Sequence, residues 1–208
     1  MTKIGVLVSG GGTNLQAIID RIADGTLGKC AISVVISSKP GAYALERARL
    51  AGIPAACVER RRHSDAGEFA RLLVGELRGH GAELVVLAGF LSIAGSALVD
   101  AYPNRIINVH PALIPSFCGK GFYGLEPHRA ALEYGVKVTG ATTHFVTLGV
   151  DAGPIIMQKA VEIHEGDTPE TLQRRVMEQA EQSILPESIR LFSEGRLSVE
   201  GRAVKIAR

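Results

Sequence analysis

An amide and an imidazole stand two residues apart in Ile106-Ile107-Asn108-Val109-His110-Pro111, side-chain types that together suit chemistry on a carbonyl. In a β-strand alternate side chains share a face, so Asn108 and His110 point one way while Ile107 and Val109 point the other. Pro111 has no N–H for a sheet. It ends the strand and leaves both polar groups at the carboxyl end, where open α/β sheets bind ligands. A side-chain amide and an imidazolium both donate to an oxyanion, the species formed when a nucleophile adds to a carbonyl carbon. A nearby carboxylate favours the charged imidazole, and Asp151, in a loop flanked by Gly149 and Gly153, is the candidate; it is also placed to relay a proton. His144, in the neighbouring strand, either orients Asn108 or Asp151 or is simply a buried, satisfied histidine. Taken alone, the Asn-x-His pair better fits an ordinary strand end with two hydrogen-bonded polar groups, and the functional reading rests on what accompanies it.

A second constellation opens the chain. The apolar run Lys3–Val8 is followed by Ser9-Gly10-Gly11-Gly12-Thr13-Asn14 and then by Leu15, Ile18, Ile19 and Ile22 at helical spacing. Glycines let the backbone approach a ligand, and the helix offers unpaired N–H groups and a positive dipole end, a combination suited to phosphate. Gly11, Gly12, Thr13 and Asn14 are the candidate phosphate contacts. Leu15 stands where the dinucleotide fingerprint needs glycine, the GK[ST] ending of a Walker loop is missing, and the second strand ends in Ser-Ser-Lys rather than an acid. The loop therefore suits a phosphomonoester, the other reading being a tight strand-to-helix turn.

These groups need a frame. Strands are expected at Lys3–Val8, Ile32–Ser37, Ala55–Val58, Leu84–Ala88 and Ile106–His110, with helices after the glycine loop, at about 42–51 and at about 65–79. That alternation predicts an α/β fold: a single domain, residues 1–208, with a mostly parallel twisted sheet and a Rossmann-like N-terminal half. About 1–100 forms the phosphate-binding half and about 101–208 the catalytic half. Further on come a helix at about 127–134, strands at Lys137–Val146 and Pro154–Val161, a capped helix from Asp167 through Ile184, and a hairpin at Leu197–Ile206. Gly89–Gly95 is an apolar loop, read as pocket lining for a flat ring or as a cover for the core. Arg60-Arg61-Arg62-His63 reads as a solvated loop or an anion contact, and the glycine-rich Phe117–Gly124 as a mobile lid or a static insertion.

Composition narrows the partners. With 23 Lys and Arg against 21 Asp and Glu, the net charge of +2 is too small to point to nucleic acid or an anionic membrane, so an anionic ligand must be caught locally. Cys30, Cys57 and Cys118 are odd in number and far apart, which suggests neither a disulfide framework nor a zinc site, and no metal is expected. Met1 leads directly into a strand and no apolar run nears the ~20 residues of a membrane span, so a cytoplasmic protein acting on small molecules, as monomer or homodimer, is expected.

Read together, Ser9–Gln16 (S-G-G-G-T-N-L-Q), L-E-R-A-R at 45–49, V-L-A-G-F at 86–90, N-V-H-P at 108–111, H-F-V at 144–146 and V-D-A-G-P at 150–154 resemble, in order and spacing, the folate-dependent phosphoribosylglycinamide formyltransferases of purine synthesis. The resemblance covers nearly the whole chain. It implies a formyl group passing from 10-formyltetrahydrofolate, the donor co-substrate, to the amine of glycinamide ribonucleotide, with Asn108, His110 and Asp151 catalytic. It further implies that Glu181 helps the glycine loop hold the substrate phosphate, and that the folate ring lies against Phe90, Leu91, Ser92, Ile93 and Ala94 and against Val146 and Val150. His144 ranks behind the trio as an orienting group.

Two departures stand out. Many relatives carry P-G-L-H-x-H where this chain has Cys118–Gly124 and retains only His128, and many carry an arginine after the third strand where this chain has Asp65 or Ala66, with Arg60, Arg61 and Arg62 nearby. The competing expectations are a formyltetrahydrofolate hydrolase, a transfer-RNA formyltransferase and a non-enzymatic phosphate or nucleotide sensor. The first usually adds a domain before the first strand and the second a basic C-terminal barrel, whereas here the first strand begins at Lys3 and the chain ends on the hairpin. The polar trio argues against the sensor.

Overall fold

Apolar runs too short for helices build the sheet. The computed structural model describes residues 1–92 and 95–207. Strands β1 (Thr2–Val8), β2 (Cys30–Ser37), β3 (Ala55–Cys57), β4 (Leu84–Leu87) and β5 (Ile106–His110) pair in parallel in the order β3-β2-β1-β4-β5. The order reverses at β1, so the turns after β1 and β4 diverge and leave a crevice at the carboxyl edge. Helices α1 (Thr13–Ala23), α2 (Tyr43–Leu50), α3 (Ala66–Gly79) and the short α4 (Ser96–Ala101) make the crossovers.

Two apolar layers flank the sheet, and strand alternation sorts residues between them. Ile4, Val6 and Val8 of β1 pack with Leu15 and Ile18 of α1, while Leu7 packs on the other face with Phe69, Leu73 and Leu77 of α3. In β5, Ile107 and Val109 join the first layer and Ile106 the second. Asn108 and His110 therefore share the face of Ile106, past the point where α3 covers it.

Beyond β5 the direction changes. Helix α5 (Glu126–Tyr134) leads into β6 (Val138–Phe145), which lies antiparallel to β5, and β7 (Ile155–Glu162) lies antiparallel to β6. The terminal hairpin, β8 (Leu197–Glu200) and β9 (Ala203–Ile206), joins the sheet through Ile155 opposite Ala203, completing nine strands among the described residues. The last helical run starts at α6 (Pro169–Val176), where Thr168 caps Thr171, and continues as α7 (Gln182–Ser193) after a wider π turn over Met177–Glu181. Among the described residues no helix is long and apolar enough to cross a membrane.

Candidate active site

Register brings the strand-borne groups together. Asn108 is the direct partner of His144 and His110 of Thr142, so these four side chains share one face. The Thr142 hydroxyl donates to the Ala112 carbonyl (2.7 Å) and accepts from the Ile114 N–H (3.1 Å), pinning the turn that follows His110. After β6 the chain doubles back across this face and delivers Asp151, in a left-handed backbone conformation (φ 51°), between the two histidines. Asp151 Oδ2 lies 3.5 Å from His110 Nδ1, Oδ1 lies 3.6 Å from His144 Nε2, and the Gly119 N–H donates to Oδ2 at 2.9 Å.

Hydrogen-bond partners fix the resting tautomers. His144 Nδ1 lies 3.0 Å from the Phe145 carbonyl, which can only accept, so that nitrogen carries the proton. In the tautomer with its proton on Nδ1, Nε2 accepts from Asn108 Nδ2 at 3.1 Å, which turns the amide nitrogen inward and leaves its second hydrogen for a ligand. By the same logic His110 Nε2 donates to the Phe117 carbonyl (2.9 Å), and Nδ1 faces Asp151. Burial lowers the pKa of His110, while Asp151 and the Phe117 carbonyl raise it less than burial lowers it. The carboxylate acts in the direction read from the sequence, but desolvation outweighs it and the resting ring is neutral at pH 7. For Asp151, burial pushes the pKa up, yet His144, His110 and the Gly119 N–H together hold it below the usual aspartate value.

His128, the histidine retained from the family pattern, is fully buried on α5, and neither ring nitrogen has a hydrogen-bond partner among the described residues. Burial, with His110 nearby, lowers its pKa to about 4, so it stays neutral.

The glycine loop runs from β1 into α1. Gly12 has φ 73°, and a Cβ there would lie 2.7 Å from the Cβ of Ala44, so glycine is required for close packing on α2 as well as for the turn. Gly11 has open space around it. Arg47, from L-E-R-A-R, holds the loop from behind through Nε to the Gly11 carbonyl (2.8 Å). Asn14 Nδ2 donates to Glu181 Oε2 at 2.6 Å, closing the loop against the π turn. Burial raises the Glu181 pKa to about 7, partly countered by that donor.

One cavity of about 920 Å³ joins these parts. Gly11, Gly12, Thr13, Asn14 and Glu181 line one region, Asn108, His110, His144 and Asp151 another, and Phe90, Leu91, Ser92, Val146 and Val150 a third. Ile93 and Ala94, expected beside Phe90, lie outside the described residues. The Phe90 ring stacks on Phe69 (6.4 Å, 5°), and the Leu91 N–H donates to Ser9 Oγ (2.9 Å), tying this apolar loop to the glycine loop.

Sequence reading did not pick out Gln173 and Met177, which also line the cavity; with Glu181 they repeat every four residues, the signal of a single helix face. Nor did it identify the Phe117 carbonyl and the Gly119 N–H, main-chain groups with no signature in residue type. Among the described residues no three His, Cys, Asp or Glu side chains converge to hold a metal ion.

Comparison with known proteins accords with this geometry. A model of the formyl transferase family matches residues 2–189. Phosphoribosylglycinamide formyltransferase of Escherichia coli (strain K12) is 39% identical over 201 residues, which is 97% of this chain and 92% of that protein. The trifunctional purine biosynthetic protein adenosine-3 of Gallus gallus is 41% identical over 204 residues, of whose length the chain spans 20%. The crystal structure of glycinamide ribonucleotide transformylase 1 from Symbiobacterium toebii is 49% identical, with a TM-score of 0.94 over 100% of this chain and 95% of that one.

Proposed function

The chain belongs to the formyl transferase family, and from that premise we propose that it transfers the formyl group of 10-formyltetrahydrofolate to the amino group of glycinamide ribonucleotide, yielding formylglycinamide ribonucleotide and tetrahydrofolate in purine biosynthesis. The observation that carries this reading is the meeting, in one cavity, of a phosphate-suited glycine loop, an apolar loop and the Asn108–His110–Asp151 cluster. The N-terminal half then supplies the phosphate loop and one wall of the folate pocket, and the C-terminal half the chemistry and the other wall.

The amine nitrogen attacks the formyl carbon, the oxygen takes the negative charge, the bond to N10 breaks, and one proton moves from the amine to N10. The inward Asn108 Nδ2–H donates to the oxyanion. His110 takes a proton from solvent on Nδ1, beside Asp151, and offers its Nε2–H, which in the resting enzyme is given to the Phe117 carbonyl; the ring gives that proton back to solvent after the oxyanion collapses. Asp151 stays ionised beside the imidazolium while the carbon–nitrogen bond forms, then takes the amine's proton and passes it to N10 as that nitrogen leaves, and His144 is a positioning residue that aims the Asn108 amide. Gly11, Gly12, Thr13 and Asn14 hold the phosphate. Glu181, which the resemblance assigned to the phosphate, has its pKa raised to about 7, so its protonated carboxyl can donate to a phosphate oxygen and its ionised form can accept from the substrate's hydroxyls. Phe90, Leu91, Ser92, Val146 and Val150 cover the folate ring.

A hydrolase would need the same cluster with water as acceptor, but it would have no use for the glycine loop and the Asn14–Glu181 pair. Formyl release from 10-formyltetrahydrofolate, followed by absorbance, is expected to require added glycinamide ribonucleotide. Equal turnover without the ribonucleotide identifies a hydrolase, and ligand binding without turnover a sensor.

A further inference from the structure

A phosphomonoester brings nearly two negative charges into the cavity at neutral pH, and the glycine loop supplies only uncharged donors, main-chain N–H groups with the Thr13 and Asn14 side chains, and the partial charge of a helix end. The described lining contains two acids, Asp151 and Glu181, and a single lysine or arginine, Lys120. Arg47 is committed behind the loop, to the Gly11 carbonyl and to Gln16 Oε1 (2.9 Å), and does not line this cavity. Lys120 is exposed and has no salt-bridge partner among the described residues.

Its segment spans from the chemistry to the ribonucleotide side. Gly119 donates to Asp151 at one end, and at the other the Gly124 carbonyl accepts from Gln173 Nε2 (3.1 Å), on the helical run that carries Glu181 and, through it, Asn14. Lys120 sits between Gly119 (φ 93°) and Gly121 (φ 96°), each with nothing near its Cβ position, so its backbone reorients at little steric cost.

We propose that Lys120 is the cation that engages the ribonucleotide phosphate and sets the preference for a phosphorylated over an unphosphorylated amine acceptor. The inference rests on the function proposed above. Its test compares kcat/KM for glycinamide ribonucleotide and for the dephosphorylated riboside in the wild type, Lys120→Ala and Lys120→Arg. Lys120→Ala is expected to lower kcat/KM for the ribonucleotide about tenfold or more, through KM, as for other charged hydrogen bonds. With the riboside the loss should be much smaller, so that discrimination narrows by the same factor, and Lys120→Arg should restore most of it. An equal loss on both acceptors overturns the assignment. So does a defect confined to the apparent affinity for the formyl donor, which would give Lys120 to the folate carboxylates. Binding of a non-reactive folate analogue, expected unchanged in Lys120→Ala, reports an intact fold, and its loss also counts against a phosphate role. Wild-type enzyme that formylates neither acceptor refutes the function itself and this inference with it.

Discussion

Asp151→Asn separates charge from shape at the centre of the site. The asparagine oxygen can keep the Gly119 N–H bond while its NH₂ faces His144 Nε2, so the local geometry survives. What disappears is the negative charge 3.5 Å from His110 Nδ1, and with it the carboxylate that relays the amine's proton, so the electrostatic loss alone is the smallest deficit expected. Two unit charges at that distance interact by about 4.7 kcal/mol at an effective dielectric of ~20. The amide oxygen dipole retains part of this, so a loss of about 3 kcal/mol is expected in the state where His110 is charged, or roughly 10² in kcat. KM for both substrates should change little, because the resting imidazole is neutral and pays nothing for the missing charge. The pH dependence follows in sign: Asp151 raises the His110 pKa, so the variant's ring protonates only at lower pH and its deficit should shrink as pH falls. Steady-state absorbance assays from about pH 5.5 to about 8.5, a window around the ordinary histidine pKa, with circular dichroism to confirm folding, test this. A folded variant with near wild-type kcat, or one defective only in KM, would refute the reasoning.

Glu181→Gln tests the buried carboxyl. With its pKa raised from 4.5 to about 7, Glu181 contributes stability that is fully present below pH 4.5 and lost as pH rises through 7, about 3 kcal/mol in all; urea melts should therefore show the variant more stable than wild type at about pH 8 and less pH-dependent between those values, while its KM for the ribonucleotide rises. Gly11→Val, in open space, should fold normally and lose ribonucleotide affinity with folate binding retained, as read by calorimetry. Gly12→Ala meets Ala44 in a left-handed backbone and should lower stability by about 2–4 kcal/mol in thermal melts.

The parallel half of the fold was legible because β1, β4 and β5 are apolar runs bounded by glycine or proline, and the helices between them carry a clear period. Helix α4 was not, since Ser96–Ala101 is six residues long with one buried side chain, Leu98. Strand patterns carry no direction, so nothing in Val138–Phe145 announced that β6 would return antiparallel to β5. At the site, residue types named the groups that line the cavity, but the charge state of His110 depends on how deeply its ring is buried, a property of the whole fold. The reason for Gly12 was half visible: the turn needs glycine, but the approach of Ala44 belongs to a helix about thirty residues away.

The division of the site between strands and loops bears on how it accelerates the reaction. Asn108, His110 and His144 stand on paired strands whose register fixes them before any ligand arrives, so the Asn108 donor needs no reorganisation when charge appears on the formyl oxygen. Asp151 comes from a loop, and its 3.5 Å approach to His110 is longer than a hydrogen bond. Burial keeps the imidazole neutral in the resting enzyme, and Asp151 offsets only part of that penalty. An oxyanion forming beside the ring adds a second negative charge and shifts the balance toward the imidazolium as the tetrahedral intermediate develops. The His110–Asp151 attraction is then strongest in the transition state and weak before it, which raises kcat rather than tightening the hold on the substrate.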